Sequence, residues 1–340
     1  MESFQWILGI ESSCDETAAA ILKEGRILKA NLVASQTDLH RVYGGVVPEL
    51  ASRQHMESVN LLIDQAAEQA GVRLRDLDGI AVSRGPGLVG ALLVGLSTAK
   101  ALAYSLAIPY VGVNHMEGHI YANWLTGPDI SFPLIGLIVS GGHTALMLLE
   151  GHGSYRLLGQ TRDDAAGEAY DKVARTLGLG YPGGPVLDRL AREGNPEAIS
   201  LPVARLRDDP WSFSFSGLKT AVLNLMHRLA EQGIAIDKAD LAASFQENVC
   251  ATLTEKTIAA AAAYGVDQVL LAGGVAANSR LRQMMAAACD AAGFTLYLPE
   301  PAYCTDNAAM IACAGYYRLR AGFRDGWDLN AAPALGMDSV

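Results

Sequence analysis

Apolar and polar residues alternate along the first part of the chain with the period of β-strands and then with that of helices. Three short runs have the two-residue period and are joined by tight turns: residues 6–11, 17–22 and 26–33. A helical period follows from His55 to Ala70, where apolar side chains share one face, and Gly71 ends it. The pattern then predicts strand Gly79–Ser83, helix Leu88–Leu106, strand Tyr110–Val113 and a short helix after Asn114.

The second half of the chain repeats this order of elements. Its predicted elements are strands 134–140, 143–149 and Tyr155–Thr161, helix Ala166–Leu177, an insertion, helix Asp240–Tyr264, strand Gln268–Leu271, helix Ala276–Ala291, strand Phe294–Leu298 and helix Asp306–Arg320. Two such copies predict a duplicated α/β fold of two lobes with a central cleft. This is the element order of the actin, Hsp70 and sugar-kinase superfamily, and by itself it predicts a fold and not a reaction.

The repeat also predicts the domain organisation. We expect a first lobe over residues 1–130 and a second lobe over 131–304, with an insertion at about 180–238. A C-terminal helix within 305–325 is expected to pack back on the first lobe.

Composition narrows the class of protein. The chain has 340 residues, of which 50% are hydrophobic, and its apolar runs are interrupted by Gly, Ser or His before roughly the 18 residues of a membrane span. Five cysteines without a Cys-x-x-Cys pair suit a reducing compartment, so we expect a cytoplasmic protein without a membrane partner. A net charge of −10 argues against a broad nucleic-acid surface. Any RNA contact is expected to be local, at basic residues such as Arg41, Arg53, Arg84, Lys172 and Arg175.

Two segments at matching positions of the repeat carry candidate metal ligands. Val111–Trp124 and Leu296–Met310 each have the pattern of a strand, a polar turn and a helix start, with Asn114 and Thr305 as predicted N-caps. His115 and His119 lie about one helical turn apart, and Asp306 lies at the corresponding helix start. If the two halves face each other, these side chains form a three-ligand metal site with open positions. A purely structural histidine pair is an equal alternative.

The same histidine pair raises the question of a zinc peptidase. In those enzymes the glutamate directly follows the first histidine. Here Glu117 lies two residues after His115, about 200° round the helix, and is expected to point away from the metal. The metallopeptidase interpretation is therefore weak.

Glycine-rich turns are the candidate sites for a nucleotide. The hairpins GIESSCDETAAAI and GLIVSGGHTALML have small or polar tips whose backbone N–H groups suit an anion. Ala272–Val275 and Asn278 lie where a buried strand ends, a place suited to adenine or ribose. Asp171 and Asp188 flank a Tyr-Pro-Gly-Gly turn, although Asp171 can equally form an ordinary helix pair with Arg175.

Two further motifs are rejected as functional sites. The spacing Gly85-x-Gly87-x-x-Gly90 imitates a dinucleotide fingerprint, but the acidic residue required about twenty positions on is missing. Ser216-x-x-Lys219 imitates a serine acyl-enzyme motif without its companion motifs.

Eight segments together resemble one known family over essentially the whole chain. They are GIESSCDET, SRGPGLVG, NHMEGH, IVSGGHT, DDAAGEAYDKVARTLGLGYPGGP, FSFSGLKTAV, LAGGVAANSRLR and YCTDNAAMIA. In this order they are similar to the universal tRNA N6-adenosine threonylcarbamoyltransferases of bacterial type, formerly called the O-sialoglycoprotein endopeptidase family. The tail after Asn330 is the least similar part.

The resemblance implies a reaction and the residues that perform it. Threonylcarbamoyl-AMP would donate its acyl group to N6 of the adenosine 3′ of the anticodon, in tRNAs reading codons that begin with A, and AMP would leave. One divalent metal per chain, Fe²⁺ rather than Zn²⁺, would be held by His115, His119 and Asp306. The adenine nucleotide would be held by Ile138, Val139, Ser140, Gly141, Gly142, Asp171, Gly184, Asp188 and Asn278. Asp15 is the candidate for orienting or deprotonating the incoming amine.

The resemblance also implies partners beside the tRNA substrate. These are an inactive paralogue of the same fold, a small P-loop ATPase and the upstream threonylcarbamoyl-AMP synthase. The alternative function is a nucleotide-gated ATPase or binding protein of the actin-like superfamily. The metal triad separates the two, because such ATPases do not need it.

Overall fold

The computed structural model describes residues 4–125, 127, 129–204, 206 and 208–337. The chain forms two compact units. The first unit consists of Met1–Ile130, Gly151–Tyr155 and Pro299–Val340, and the second of Ser131–Glu150 and Arg156–Leu298. The C-terminal part of the chain therefore belongs to the first unit, together with the five residues 151–155.

Strands and helices follow each other in the predicted order. The strands are β1 Trp6–Glu11, β2 Glu16–Lys23, β3 Ile27–Ser35, β4 Gly79–Gly85, β5 Tyr110–Asn114, β6 Leu134–Val139, β7 Thr144–Gly151, β8 Ser154–Gln160, β9 Gln268–Ala272 and β10 Thr295–Tyr297. The helices are α1 Thr37–Arg41, α2 Pro48–Ala70, α3 Val89–Leu106, α4 His115–Tyr121, α5 Ala166–Thr176, α6 Gly183–Ala191, α7 Ser216–Glu231, α8 Lys238–Tyr264, α9 Ser279–Ala292 and α10 Ala308–Arg320. Short 3₁₀ turns cover Leu74–Asp76, Ala122–Trp124, Gly274–Ala277 and Pro301–Tyr303.

The two units contain sheets of the same topology. Their strand orders are β3-β2-β1-β4-β5 and, read in the same direction, β8-β7-β6-β9-β10. In the first sheet β1 is antiparallel to β2 and parallel to β4. In the second sheet β6 is antiparallel to β7 and parallel to β9. The duplicated α/β fold predicted from the element order is confirmed.

The sheet of the first unit is covered on both faces, which explains the nearly continuous apolar runs of its inner strands. Leu8 and Ile10 of β1 pack in one core with Val59 and Ile63 of α2 and with other buried residues of α3. Helix α10 also packs on β1 and β4. Gly9 permits its close approach, because a Cβ atom there would lie 2.2 Å from the Ala308 carbonyl oxygen.

Several predicted helix starts are wrong. Helix α2 begins at Pro48 rather than His55, because proline suits the first helical turn. Thr305 is not the cap of α10; Asn307 is, and its side chain accepts a hydrogen bond from the Met310 N–H. Helix α9 begins at Ser279 rather than Ala276, and the 3₁₀ turn Gly274–Ala277 precedes it.

Helix α3 departs from the expectation about membrane spans. It is long and apolar enough to cross a membrane by length and composition, since its glycines and serines do not lower the mean hydropathy sufficiently. A third of its apolar window is buried inside the protein, and residues such as Leu92, Leu96 and Ala99 are fully or almost fully buried. Such a helix is weak evidence for a membrane protein, because core helices of soluble proteins pass the same test.

Candidate metal centre and nucleotide-binding residues

The two histidines are positioned by the turn from β5 into α4. Asn114 ends the strand in an extended conformation, and its Oδ1 accepts a hydrogen bond from the Met116 N–H at 2.9 Å. This cap, predicted from the sequence, makes His115 the first helical residue. His115 and His119 then follow one turn apart on a helix whose residues are all buried.

Asp306 reaches the same point from the turn that precedes α10. Its Oδ1 lies 3.3 Å from Nε2 of His115 and 3.3 Å from Nε2 of His119. The two imidazole planes are nearly perpendicular, at 82°, with centroids 4.7 Å apart. One ligand atom of each residue lies within 4.8 Å of the other two. The structure thus brings the predicted triad together within the first unit.

The triad fits a metal ion. Two ligands bonded at about 2.0 to 2.1 Å in a tetrahedral arrangement lie about 3.3 Å apart, which is the separation seen between Asp306 and each histidine. His119 is 1% exposed, and among the described residues neither of its ring nitrogens makes a hydrogen bond of ordinary geometry, since Nε2 has only the Asp306 contact at 3.3 Å. Buried polar groups rarely lack a partner, so this imidazole is arranged for a ligand that is not part of the chain.

The charges around the triad keep Asp306 ionised and one imidazole neutral. Burial lowers the pKa of His119. Burial also acts to lower the pKa of His115, but the carboxylates of Asp306 and Glu11 outweigh it and raise that pKa well above its ordinary value. Burial opposes ionisation of Asp306, yet the two histidines hold its pKa far below the usual range. A divalent cation would compete for these ligands with the proton on His115.

Glu11 supports His115 and was not among the predicted site residues. Its Oε2 lies 3.0 Å from Nδ1 of His115, and its Oε1 accepts a hydrogen bond from the Ser13 N–H at 2.5 Å. The Ser13 hydroxyl lies 3.2 Å from the same imidazole nitrogen. Glu11 ends β1 in an ordinary strand pattern, so its sequence position gave no signal of this contact.

Glu117 lies between the two histidines in sequence but has other partners. Its Oε1 accepts a hydrogen bond from the Tyr155 hydroxyl at 3.1 Å, and its Oε2 pairs with Nη1 of Arg318 at 3.1 Å. Burial raises the pKa of Glu117, although Arg318 acts to lower it. A carboxylate engaged in this way is not placed as the general base of a peptidase.

Asp15 lies in the turn between β1 and β2, close to other acidic groups. Burial, together with the carboxylates of Asp306 and Asp15, raises the pKa of the neighbouring Glu16 to about 9. Burial likewise raises the pKa of the Cys14 thiol, with a further contribution from Asp15 and Asp306. Asp15 and Asp306 therefore both lie close enough to Cys14 and Glu16 to affect them electrostatically. This is consistent with a position of Asp15 near the candidate metal centre.

The predicted nucleotide residues lie within the second unit, where β6 and β9 end side by side. Ile138 pairs with Ala272 across these parallel strands. The tip of the β6–β7 hairpin follows, and Gly141 and Gly142 leave open space around their Cα atoms. Gly273, with φ +90°, packs so closely that a Cβ would lie 2.4 Å from the Val139 carbonyl oxygen. Glycines at this edge thus let backbone segments approach one another.

The polar residues predicted for the nucleotide already have protein partners. Asp171 Oδ1 accepts hydrogen bonds from the N–H groups of Gly183 and Gly184 at 2.8 and 3.3 Å. Asp188 accepts one from the Ser279 hydroxyl at 2.8 Å and pairs with Arg192 at 2.8 Å.

Asn278 caps α9 rather than lying on it. Its Oδ1 accepts a hydrogen bond from the Leu281 N–H, and its Nδ2 donates to Gln246 at 2.8 Å and to the Tyr170 hydroxyl at 3.4 Å. These bonds tie α5, α8 and α9 together at one end of the sheet.

The C-terminal tail, here the residues 321–337 that follow α10, contacts the start of α4, the helix that carries His115 and His119. Residues of the tail accept or donate hydrogen bonds along β4 and β5: Asp325 with Gly112, Ala332 with Arg84, and Gly336 with the Asn114 side chain. Trp327 stacks on Tyr110, with ring centroids 5.4 Å apart. The tail thus covers the edge strand β5 and ends beside the cap of α4.

Basic residues considered for RNA contacts are largely neutralised by neighbouring acids. Arg41 pairs with Asp38 at 3.0 Å and Arg53 with Glu49 at 2.9 Å. Lys172 pairs with Asp164 at 2.9 Å and with Glu168 at 2.7 Å, and this last contact is the predicted helix pair. These residues therefore add little net positive charge to the surface.

Comparison with known proteins agrees with the family resemblance of the sequence. A model of the tRNA N6-adenosine threonylcarbamoyltransferase family matches residues 27–313. A relative of that name from Symbiobacterium thermophilum is 60% identical over 331 residues, which cover 97% of this chain and 96% of the relative. Another of that name, from Bacillus subtilis, is 54% identical over 335 residues, covering 98% and 96%.

Solved structures resemble the chain in fold alone. Full-length HypF in its phosphate- and nucleotide-bound form superposes with a TM-score of 0.61 at 13% identity, over 93% of this chain and 46% of that one. The chain thus spans about half the length of HypF. The activator of 2-hydroxyisocaproyl-CoA dehydratase from Clostridium difficile has a TM-score of 0.51 at 14% identity, over 93% and 96%.

Proposed function

The chain belongs to the tRNA N6-adenosine threonylcarbamoyltransferase family, and from this premise we propose that it transfers a threonylcarbamoyl group to N6 of an adenosine in tRNA. The donor we propose is threonylcarbamoyl-AMP, and the acceptor is the adenosine 3′ of the anticodon in tRNAs reading codons that begin with A. The observation that carries the proposal is the 60% identity to a transferase of this name over nearly the whole chain.

His115, His119 and Asp306 are proposed to hold one divalent metal. Two imidazoles and one carboxylate with open positions suit Fe²⁺, which we prefer to Zn²⁺. A bound ion would polarise a carbamoyl or phosphoryl oxygen of the donor, a Lewis-acid role that needs no protein nucleophile. The buried wall around His119 would keep water from competing with the acyl acceptor.

The second unit is proposed to hold the adenylate through backbone and side chains at the ends of β6 and β9. Ser140, Gly141 and Gly142 form a hairpin tip, supported by Ile138 and Val139 in the buried strand behind it. The Ser140 N–H donates to the His143 carbonyl, and the N–H groups of Gly141 and Gly142 suit phosphate oxygens. Asp171 fixes Gly183 and Gly184 at the N-terminus of α6. Asp188 and Asn278 would bind ribose or adenine edges while keeping their structural bonds.

Asp15 is proposed to orient or deprotonate the attacking N6 amine. Its carboxylate and that of Asp306 both act on Glu16, which supports a position close to the proposed metal ligands. An adenosine N6 amine is a weak nucleophile, so a nearby hydrogen-bond acceptor helps to direct its lone pair toward the acyl carbon. The acceptor proton would leave through this carboxylate as the bond to AMP breaks.

Neither alternative function has a supporting observation of its own. A nucleotide-gated ATPase does not need two histidines and an aspartate whose ligand atoms lie within 4.8 Å of one another. A metallopeptidase needs a free general base, and Glu117 is held by Tyr155 and Arg318.

The charge of the chain supports a need for partners, and the family resemblance indicates which proteins they are. With 36 acidic and 26 basic side chains, and with Arg41, Arg53 and Lys172 paired, the chain alone has little surface to attract RNA. We propose that it acts in the cytoplasm, without a membrane, beside an inactive paralogue, a small P-loop ATPase and the adenylate synthase. These proteins would complete the tRNA surface or renew the site after each turnover.

The test is incorporation of labelled threonine into tRNA. Purified chain, synthase, ATP and bicarbonate are supplied with and without the paralogue and the ATPase. We expect multiple turnovers only with all components, and threonylcarbamoyladenosine in the digested tRNA. Absence of that nucleoside from the complete mixture contradicts the transferase, whereas many turnovers without the two companions contradict only the proposed partner requirement.

A further inference from the structure

We infer that Glu11 is a positioning residue for the metal centre, which orients His115 and supplies the second negative charge that a divalent ion requires. The inference rests on the proposed metal site and adds to it a residue that is not itself a ligand. It is carried by the contacts of Glu11, by its burial and by the charges of the triad.

The contacts of Glu11 determine which nitrogen of His115 faces the site. Oε2 of Glu11 lies 3.0 Å from Nδ1, while Nε2 lies 3.3 Å from Asp306. A carboxylate is an acceptor only, so Nδ1 donates its hydrogen to Glu11, and Nε2 is the nitrogen left to ligate a metal ion once one displaces its proton. Partners of this kind fix the ring and raise the basicity of a histidine ligand.

The second oxygen of Glu11 fixes the carboxylate itself. Oε1 accepts the Ser13 N–H at 2.5 Å within the turn that follows β1. The strand ahead of it is held by pairing with β2 and β4 on both sides. Glu11 therefore cannot swing away from His115 without breaking the turn, and it transmits the rigidity of the sheet to the ligand.

Charge balance gives a second reason for a carboxylate at this place. Two neutral imidazoles and Asp306 carry one negative charge, which would leave a divalent ion with an excess of one positive charge in a buried site. The Glu11 side chain is 0% exposed and adds the missing negative charge one imidazole away. The charges of the ion, its three ligands and Glu11 then sum to zero.

The experiment measures Co²⁺ binding, because Co²⁺ reports its ligands through its visible spectrum and binding can be read without any activity. Four variants are compared with the wild-type chain: Glu11→Ala, Glu11→Gln, His119→Ala and Asp78→Asn. Glutamine keeps an acceptor oxygen but removes the charge, which separates orientation from charge. Asp78 accepts the N–H groups of Gln5 and Trp6 at 2.8 Å at the opposite end of β1 and controls for loss of strand stability.

We expect Glu11→Ala to weaken Co²⁺ binding about 10- to 100-fold and to change the spectrum, as loss of a group behind a metal-bound histidine does. Glu11→Gln should show a smaller loss, and Asp78→Asn should bind as the wild type does. If circular dichroism shows that Glu11→Ala does not fold, the Glu11→Gln variant tests the inference alone. Its Co²⁺ affinity is expected to be about threefold or more below that of the wild type.

The role of Glu11 is overturned if folded Glu11→Gln and Glu11→Ala bind Co²⁺ with the affinity and spectrum of the wild type. If His119→Ala at the same time does not bind Co²⁺, the metal site itself stands. Equal Co²⁺ binding by the wild type and His119→Ala would overturn the metal site itself, and the inference with it.

Discussion

Arg318 Nη1 lies 3.1 Å from Glu117 Oε2 and joins α10 to α4, the helix that carries His115 and His119. The Glu117 carboxylate is fully buried and the Arg318 side chain is 17% exposed. Removing the Arg318 cation alone leaves the buried Glu117 carboxylate without a charge partner, whereas removing both side-chain charges leaves no buried charge.

We predict that Arg318→Met lowers the free energy of unfolding by about 3 to 5 kcal/mol. Adding Glu117→Gln to that variant should recover part of the loss, because the uncompensated carboxylate is then gone. Urea denaturation of the two single variants and the double variant measures this coupling. Strictly additive effects, or an Arg318→Met protein as stable as the wild type, would contradict the role of the pair.

Gly118 lets α4 approach α10, and its replacement should be costly. A Cβ at this position would lie 2.7 Å from Cδ1 of Ile311. We predict that Gly118→Ala destabilises the protein by about 1 to 3 kcal/mol, despite a gain of up to about 1 kcal/mol in helix propensity. Gly217 in α7 has open space around its Cα and is the matched control, for which alanine should be neutral or slightly stabilising. A thermal melt in which both variants behave alike would refute this packing argument.

Asp188 is predicted to contribute to adenylate affinity. It accepts a hydrogen bond from Ser279 and pairs with the Arg192 side chain, which is 60% exposed. Loss of one charged hydrogen bond to ribose corresponds to about a 10- to 100-fold weaker affinity. We therefore expect calorimetry to show AMP affinity about 10- to 100-fold weaker in Asp188→Asn and nearly unchanged in Arg192→Ala. Unchanged AMP affinity in Asp188→Asn would remove this residue from the site.

Asp164 should make stability depend on acidic pH. Burial acts to raise the pKa of Asp164, but its ion pairs with Lys219 at 2.6 Å and Lys172 at 2.9 Å hold that pKa below its ordinary value. The folded state therefore favours the ionised form, and the resulting stability is present above the ordinary pKa of about 3.9 and is lost as the pH falls through the lowered value.

The matching variant is Asp164→Asn. At pH 7 it should be less stable than the wild type by about 1 to 3 kcal/mol, between the values for exposed and buried pairs. The difference should shrink as the pH falls below about 4. Melting curves from pH 7 to 3 would contradict this if the difference stayed constant or grew toward acid.

The pattern of residues close together in sequence was sufficient to predict the fold and part of the candidate site. The spacing of His115 and His119 and the cap Asn114 are local features, and the structure contains both as predicted. The repeat of element order placed Asp306 near them, although it did not show that Asn307 begins the helix.

Contacts over long sequence distances could not be predicted. Glu11 meets His115 across 104 positions and Arg318 meets Glu117 across 201, with no periodic signal linking either pair. The structural bonds of Asn278 depend on residues of three helices, and the C-terminal tail has no regular period although it covers β5. Such features follow from tertiary packing, which one sequence does not reveal.

The central claim is that this chain performs a metal-assisted acyl transfer, and single-turnover transfer tests it most directly. Preformed threonylcarbamoyl-AMP and tRNA are mixed with the companion proteins and with the chain in four forms: wild type as purified, wild type stripped of metal, stripped wild type with Fe²⁺ restored, and His119→Ala. Threonylcarbamoyladenosine in digested tRNA is then quantified. The account predicts formation by the purified and restored wild type, and a rate at least about tenfold lower for the stripped protein and His119→Ala. Equal rates in all four forms would contradict it.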